Sequence, residues 1–582
     1  MFVENLKTDF YDIIQGNRCL LLVNFDIDAI CACKILQHLF KNDNMLYTLV
    51  PVQGIQDMVQ AYEDNCEELK YVIMINCGGI IDIVDLLKPQ EDLVFFVVDS
   101  HRPFDVCNIY SEDQIRILNK PDEDEETPEY HEIFRDESDD EEMNDDDDNN
   151  DDVDDDNEVV NSDDEEIIES RQSKRRRLNE EDMIKRRERR EWERKRETIL
   201  FNYMQYSYYG KSSAVLVFEM AWKMSKDSLD MVWWAIIGST EQSIIGKIES
   251  GMSVFEEGNL QGHVSRLTHQ QGIDIENQSQ STVKITYDKD LQLPLYRHWT
   301  VDASIRHSMI TAVSLRLYSL RGEKRLKEFL VEMGLPLDQA RQRFTAMDLN
   351  LRQEFQQMVT NLATKYNVEN IIGTSFTLQY GYRFKYSSSD VVYGMLALME
   401  STTKDRTPQN CFLDALDCLS RMKKDTLERG IHKAKLMLTN IFKTSQALLE
   451  MKQVTNAGSF LYIIINDRTL DSKLFAHPHA LTMLAQFTLR AYVEQKKSRQ
   501  RNVIALPLIA SAVFDPDDNT CILVGIPPVG EDQPRSLFGR AFEQAARNTN
   551  SQIEMDYFDT TIIRLKISER PKFLDALAAL LT

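Results

Sequence analysis

No stretch of this chain stays apolar for anything like the ~20 residues that a bilayer-spanning helix needs; its greasiest runs, YVIMI, LVFFVV and MVWWAII, stop far short. A membrane protein is therefore not expected, and the opening residues MFVENLKTDFYDII lack the basic stretch and apolar core of an export signal. Paired cysteines are missing too. The nine, at positions 19, 31, 33, 66, 77, 107, 411, 418 and 521, are odd in number and include no CxxC to begin a zinc site, so a reduced intracellular setting is expected, with no cofactor. Nor does any period of roughly 20–50 residues repeat, which excludes solenoids and propellers. Positive charge is also scarce: the net charge is −28. That deficit is local. Residues 121–170 hold 28 Asp and Glu against the lone Arg135, a charge of −27, so the remainder sums to about −1 and the folded surface is nearly neutral.

What is present is enough for several cores, because 582 residues with 42% hydrophobic content exceed a single one and imply two or three domains. From residue 18 to about 118, continuous apolar runs (CLLLVNFD, YTLVPV, YVIMINC, LVFFVVDS) alternate with amphipathic helical stretches. This rhythm predicts a mostly parallel sheet covered on both faces, whose ligands gather at the C-terminal strand ends. The pattern resumes after the acidic stretch, so the first domain is expected over 1–120 and 200–300. An all-helical domain is expected over 301–450 and a second α/β domain over 451–582. The acidic stretch 121–170 carries too little apolar surface to offset the entropy of ordering and is expected to be a disordered insertion, with Ser138 and Ser162 open to phosphorylation.

Residues 171–199 switch to basic clusters at helical spacing and predict a solvated charged helix. Lys174, Arg175, Arg176 and Arg177, with Lys185, Arg186 and Arg187, fit a bipartite nuclear import signal or simply a charged face, and a nuclear location is expected. Arg316, Arg321, Lys324, Arg325 and Lys327 make the densest positive patch outside that segment, suited to an acidic partner, to DNA phosphates or to solvent alone. Trp233 and Trp234 fall in an apolar helix pattern and read as core, and His298 reads as structural.

Chemistry concentrates at three strand ends: Asn24-Phe25-Asp26-Ile27-Asp28, Asn76-Cys77-Gly78-Gly79 and Asp99-Ser100-His101-Arg102-Pro103. Taken singly, Asp26 or Asp28 reads as a helix cap. Together with Asp99 and His101 they converge on one place, as ligands of a divalent cation do.

These residues resemble the motifs of the DHH phosphoesterase superfamily, which includes single-strand exonucleases. Asn24-x-Asp26-x-Asp28 lies on its DxDxDG motif, Asn76 takes the place of a second-motif Asp, Asp99-Ser100-His101 lies on the Asp-His-His motif, and Glu241 in GSTEQ falls where a fourth acidic ligand belongs. SLFGRAFEQAA is similar to a degenerate substrate-binding motif of the associated DHHA1 domain. The resemblance thus implies a DHH domain, a helical interaction domain and a DHHA1-like domain. Asn24, Asn76 and Ser100 depart from the pattern. Two amides replace two carboxylates, and two dications roughly 3.5–4 Å apart need strongly anionic, bridging ligands. The set Asn24, Asp26, Asp28, Asn76, Asp99, His101 and Glu241 is therefore expected to be a relic, with no metal and no catalysis.

Further segments, including FDIDAICACKILQ, VDSHRP, WWAIIGSTEQ and SSSDVVYGMLALMES, resemble a eukaryotic replication-factor branch of that superfamily. That resemblance implies one copy acting as a scaffold with the minichromosome-maintenance helicase ring and the GINS complex, with weak contact to single-stranded or fork DNA. The rival readings are an active metal-dependent exonuclease using Asp26, Asp28, Asp99 and His101, and a basic-protein chaperone working through the acidic stretch.

Overall fold

The computed structural model describes residues 1–66, 69–111, 113–119, 127–135, 187–274, 283–380, 384–401, 406–466, 472–497, 506–530, 535–555 and 557–581, with side chains at 270–274 and 369 left aside. They form two units, Met1–Asp122 with Tyr206–Thr582, and Glu123–Gln205. In the second, residues 187–203 are helical, with Arg187–Glu191 and Arg189–Glu193 pairs four residues apart, both 3.1 Å. Nearly all of the acidic stretch lies outside the described residues, as do Lys174 to Arg177, Lys185 and Arg186 of the import clusters.

The first unit begins with five parallel strands: β1 (Cys19–Asn24), β2 (Tyr47–Val52), β3 (Tyr71–Ile75), β4 (Val94–Val98) and β5 (Ile115–Ile117), in the order β2-β1-β3-β4-β5. Strand β1 is CLLLVN and buried throughout, as a run apolar on both faces requires. Pro51 has no N–H to donate and sits in β2, the edge strand. Because the order reverses between β1 and β3, the loops leaving their C-terminal ends diverge and open a crevice there. Helix α1 (Ile27–Asn42) starts in that crevice, with Asp26 as its N-cap.

The chain returns to this body in α3 (Ser213–Lys223) and α4 (Leu229–Ile245), once α2 (Ile55–Asn65) has been passed. Trp233 and Trp234 are buried, as their helical pattern implied, and the Trp234 indole donates to the Leu419 carbonyl at 3.1 Å.

The stretch 301–450 is not all helix. Strands β7 (Ile372–Tyr380) and β8 (Phe384–Ser387) interrupt it, and β7 pairs antiparallel with both β8 and β6 (Val283–Leu291). The alternation in IGTSFTLQY explains this: Phe376 and Leu378 point to the core while their neighbours are less buried, and β6 places Ile285 opposite Leu378. Around this ribbon the helices pack closely. On α6 (Lys424–Glu450), a Cβ at Gly430 would stand 2.6 Å from the Gly394 carbonyl oxygen of α5 (Ser388–Met399), so only glycine permits that approach.

The C-terminal part is a six-stranded, mostly antiparallel sheet whose long members are β9 (Leu461–Ile465), β10 (Leu508–Asp515), β11 (Thr520–Ile526) and β12 (Ile562–Lys566). Helix α7 (Pro478–Lys497) ties it to the middle: the Ala480 N–H near its start donates to Glu400 Oε1 at 2.7 Å. Glu400 is buried, and its other oxygen has no hydrogen-bond partner.

A protonated carboxyl fits that setting. Burial pushes the Glu400 pKa from 4.5 up to about 8, so the folded chain keeps a proton that the unfolded chain releases. The stability this group contributes is full below about pH 4.5 and is lost as pH rises through about 8. Glu400→Gln keeps the acceptor and removes the titration. Its melting temperature is expected to exceed that of the parent protein at pH 8 and to converge with it near pH 5, checked by thermal denaturation across that range.

Candidate functional site

The crevice brings together every residue the strand-end motifs pointed to. Asn24, Asp26 and Asp28 leave β1, Asn76 follows β3, Asp99 and His101 follow β4, and all are at least nine-tenths buried. Asn76 takes a left-handed backbone (φ 53°), which asparagine tolerates well, and this turns its side chain across the mouths of β1 and β3.

The amides are placed as donors. Asn76 Nδ2 lies 3.3 and 3.1 Å from the two Asp26 carboxylate oxygens and 3.2 Å from Asp28 Oδ2. Its carbonyl oxygen accepts from Ser213 Oγ at 2.5 Å and from the Ser100 N–H at 3.1 Å. Asn24 Nδ2 donates to Asp26 Oδ2 and to the Tyr557 carbonyl, both at 3.1 Å. Helix α3 supplies the rest: Ser212 Oγ and the Ala214 N–H donate to Asp28 Oδ1 at 2.5 and 2.9 Å, and the Ser213 N–H to Asp28 Oδ2 at 2.8 Å. The positive end of the helix therefore faces the Asp28 carboxylate. Gly238 of α4 makes room, because a Cβ there would lie 2.8 Å from Asp28 Oδ1.

An ionised carboxylate offers about four lone-pair sites. Asp28 has all four engaged, two on each oxygen. Asp26 is engaged as fully, since its Oδ1 receives the Ala29 N–H at 2.5 Å as well as Asn76, and its Oδ2 receives both asparagines. The residues present do not fit the two-metal centre that the strand-end motifs imply. They lack two carboxylates, and the two best placed have no free lone pair to offer a metal.

Charge is balanced in two further ways. Asp99 Oδ1 meets His101 Nδ1 at 2.6 Å and the His101 N–H at 2.9 Å, while its Oδ2 receives the Gly79 N–H at 2.8 Å. Burial works against both charges of this pair, yet each partner outweighs it, holding the Asp99 pKa below the usual carboxylate range and the His101 pKa above that of an ordinary imidazole. Glu241 is fully buried and pairs with Lys247, its Oε1 3.0 Å from the ammonium; burial still pushes its pKa up to about 7. Burial likewise raises the Asp26 pKa, against the pull of Lys247.

Several of these groups escaped the sequence reading. Ser212 and Ser213 form an N-cap signal, but nothing local ties them to an aspartate 184 residues away. Lys247 follows α4 and reads as an ordinary charge at a helix C-terminus. Tyr557 and Asp559 come from the last part of the chain: Tyr209 OH donates to Asp559 Oδ2 at 2.5 Å, and the Tyr209 ring lies against His101, centroids 5.0 Å apart. The motif SLFGRAFEQAA lies beside that loop, where a Cβ at Gly539 would collide with Thr560.

Other candidates separate. In the positive patch, Arg316 is engaged by Glu494 at 2.8 Å, while Arg321, Lys324 and Lys327 are exposed on the helix Leu320–Glu332. Arg187, the one described member of the import clusters, is exposed and pairs with Glu191. His298 stacks on Tyr386 and faces Asp390 at 3.5 Å, a structural role as expected. No helix of the described residues is long and apolar enough to cross a membrane.

Comparison with known families identifies the surroundings of this crevice. The family model CDC45 matches residues 19–580. The chain belongs to the CDC45 family. Its relatives include the human cell division control protein 45 homolog, 41% identical with all of both chains covered, and that of Schizosaccharomyces pombe, 31% identical over 98% of this chain and 97% of the relative. The crystal structure of CDC45 from Entamoeba histolytica has the same fold, with a TM-score of 0.68 and 22% identity over the whole of both chains.

The Asn76 amide is the keystone of the crevice, because an aspartate there would set a third carboxylate against Asp26 and Asp28 with no donor between them. Asn76→Asp is expected to lose about 3–5 kcal/mol of stability at neutral pH in metal-free buffer. The deficit should shrink as pH falls and the new carboxyl takes up a proton, which urea denaturation at two pH values measures.

Proposed function

We propose that this CDC45 family member is a non-catalytic DNA-replication factor that acts in the nucleus as a scaffold, joining the minichromosome-maintenance helicase ring to the GINS complex and activating it. Family membership over residues 19–580 supports the replication role. The non-catalytic part rests on the saturation of Asp26 and Asp28: all their lone pairs are given to asparagine amides, serine hydroxyls and backbone N–H groups. Hydrolysis of a phosphodiester by two clamped ions needs those same lone pairs.

A scaffold needs no reaction centre. It needs surfaces held at fixed distances, so that moderate interfaces engaged together give a stable assembly. The exposed Arg321, Lys324 and Lys327 suit phosphate or acidic partners, and contact with single-stranded DNA through such residues would be weak and would fall as salt rises.

Two measurements decide the matter. The purified protein with Mn²⁺ and end-labelled single-stranded DNA is expected to show no multiple turnover; turnover abolished by Asp28→Ala would restore the exonuclease reading. In cells, the tagged protein is expected to co-purify with ring and GINS subunits, and to do so after deletion of residues 122–170, whereas a basic-protein chaperone would lose its partners with that segment.

A further inference from the structure

The crevice contains a cation that belongs to the chain. Helix α4 ends at Gly246, whose φ of +74° reverses the backbone, and the Lys247 N–H closes on the Gln242 carbonyl at 2.8 Å. The reversal sends the lysine side chain back along the helix it has just left, so that Nζ reaches Glu241 Oε1 at 3.0 Å and lies 4.8 Å from the centre of the Tyr209 ring. The Lys247 side chain is 12% exposed and that of Glu241 fully buried. A lysine is rarely withdrawn from water to this extent without several anions to receive it. Here Glu241, Asp26 and Asp559 all act on it, and burial of the ammonium is outweighed by their attraction, which holds its pKa above the ordinary lysine value.

The neutralisation is incomplete at one atom. Glu241 Oε2 is buried without a hydrogen-bond partner, because the ammonium meets only the other oxygen. An oxygen aimed into a crevice with nothing to accept is what remains when a lysine, which reaches one atom, stands where an ion bound by both oxygens would satisfy the pair.

We propose that Lys247 is a tethered substitute for a divalent cation: it neutralises Glu241 and Asp26, and its charge and position exclude a free metal ion from that end of the crevice. The proposal deepens the non-catalytic reading and rests on it. With the ammonium removed, Glu241, Asp26 and Asp559 become uncompensated carboxylates around one space, a hard-oxygen set suited to a single Mn²⁺ or Mg²⁺.

Lys247→Met keeps the side-chain volume and deletes the charge; Lys247→Arg keeps a cation. After chelator treatment, Lys247→Met is expected to bind Mn²⁺ roughly tenfold or more tightly than the parent protein in calorimetric titration. Its melting temperature should rise on adding Mn²⁺, while the parent protein and Lys247→Arg show neither effect. If Lys247→Met does not fold in metal-free medium, folding is expected to return when Mn²⁺ is supplied, and failure of Mn²⁺ to rescue it overturns the proposal. So does a folded Lys247→Met with unchanged Mn²⁺ affinity, and that result leaves the non-catalytic reading standing. Tight Mn²⁺ binding by the parent protein overturns the substitution itself, while DNA turnover by the parent protein is the distinct result that removes the non-catalytic reading.

Discussion

Withdrawing negative charge from water is the constraint on which this molecule is built. Four carboxylates, Asp26, Asp28, Asp99 and Glu241, lie within 3% of full burial at the end of one parallel sheet. Each must find compensation inside the protein or give up its charge. Three kinds of donor supply it: asparagine amides at positions 24 and 76, the N-terminus of α3, and the cations of His101 and Lys247. None lies on the same element as all the groups it serves. Satisfying the charge therefore fixes β1, β3, β4, α3 and α4 against one another, although Asp28 and its helix-terminal donors are 184 to 186 residues apart.

The same polar network reaches into the C-terminal sheet region. Tyr557 and Phe558 are consecutive residues in the left-handed region, with φ of 59° and 55°, a conformation that non-glycine residues adopt at a cost of about 1–3 kcal/mol each. The strained turn is held from several sides. The Tyr557 carbonyl accepts from Asn24, its N–H donates to the Gln53 carbonyl at 2.6 Å, and Asp559 accepts from Tyr209. This turn is where the beginning and the end of the chain meet. The amide of Asn24 thus has two tasks, compensating Asp26 and anchoring the last part of the chain, and an aspartate at position 24 could donate to neither acceptor.

How much of this could be read beforehand depended on sequence distance. The parallel sheet was legible because CLLLVN, YVIMI and VFFVV are apolar on both faces, and the residues that follow them had to share the C-terminal rim. The loss of two carboxylates at 24 and 76 was legible as a loss of charge. What the amides do instead was not, because whether an asparagine donates or accepts is decided by neighbours far away in sequence. The strands in 372–387 were missed since helices surround them and their alternation is short. Lys247 and Asp559 carried no signal at all. A lysine after a helix is ordinary, and only the left-handed turn at Gly246 aims this one inward.

A hydrolytic site must keep its charge unsatisfied until a metal arrives, and that readiness opposes stability, since empty carboxylates repel one another across the crevice. Exchanging two of them for amides reverses the sign of the local interaction, so that the residues which would repel now bind one another. The crevice becomes a joint. This explains why a chain without evident use for the chemistry would still keep Asp26, Asp28, Asp99 and Glu241: each is now an acceptor that holds a distant segment in place, and its removal would leave donors buried and unpaired. For a protein proposed to hold partners in fixed relation, a rigid joint between the first and last parts of the chain is of more use than a reactive opening there.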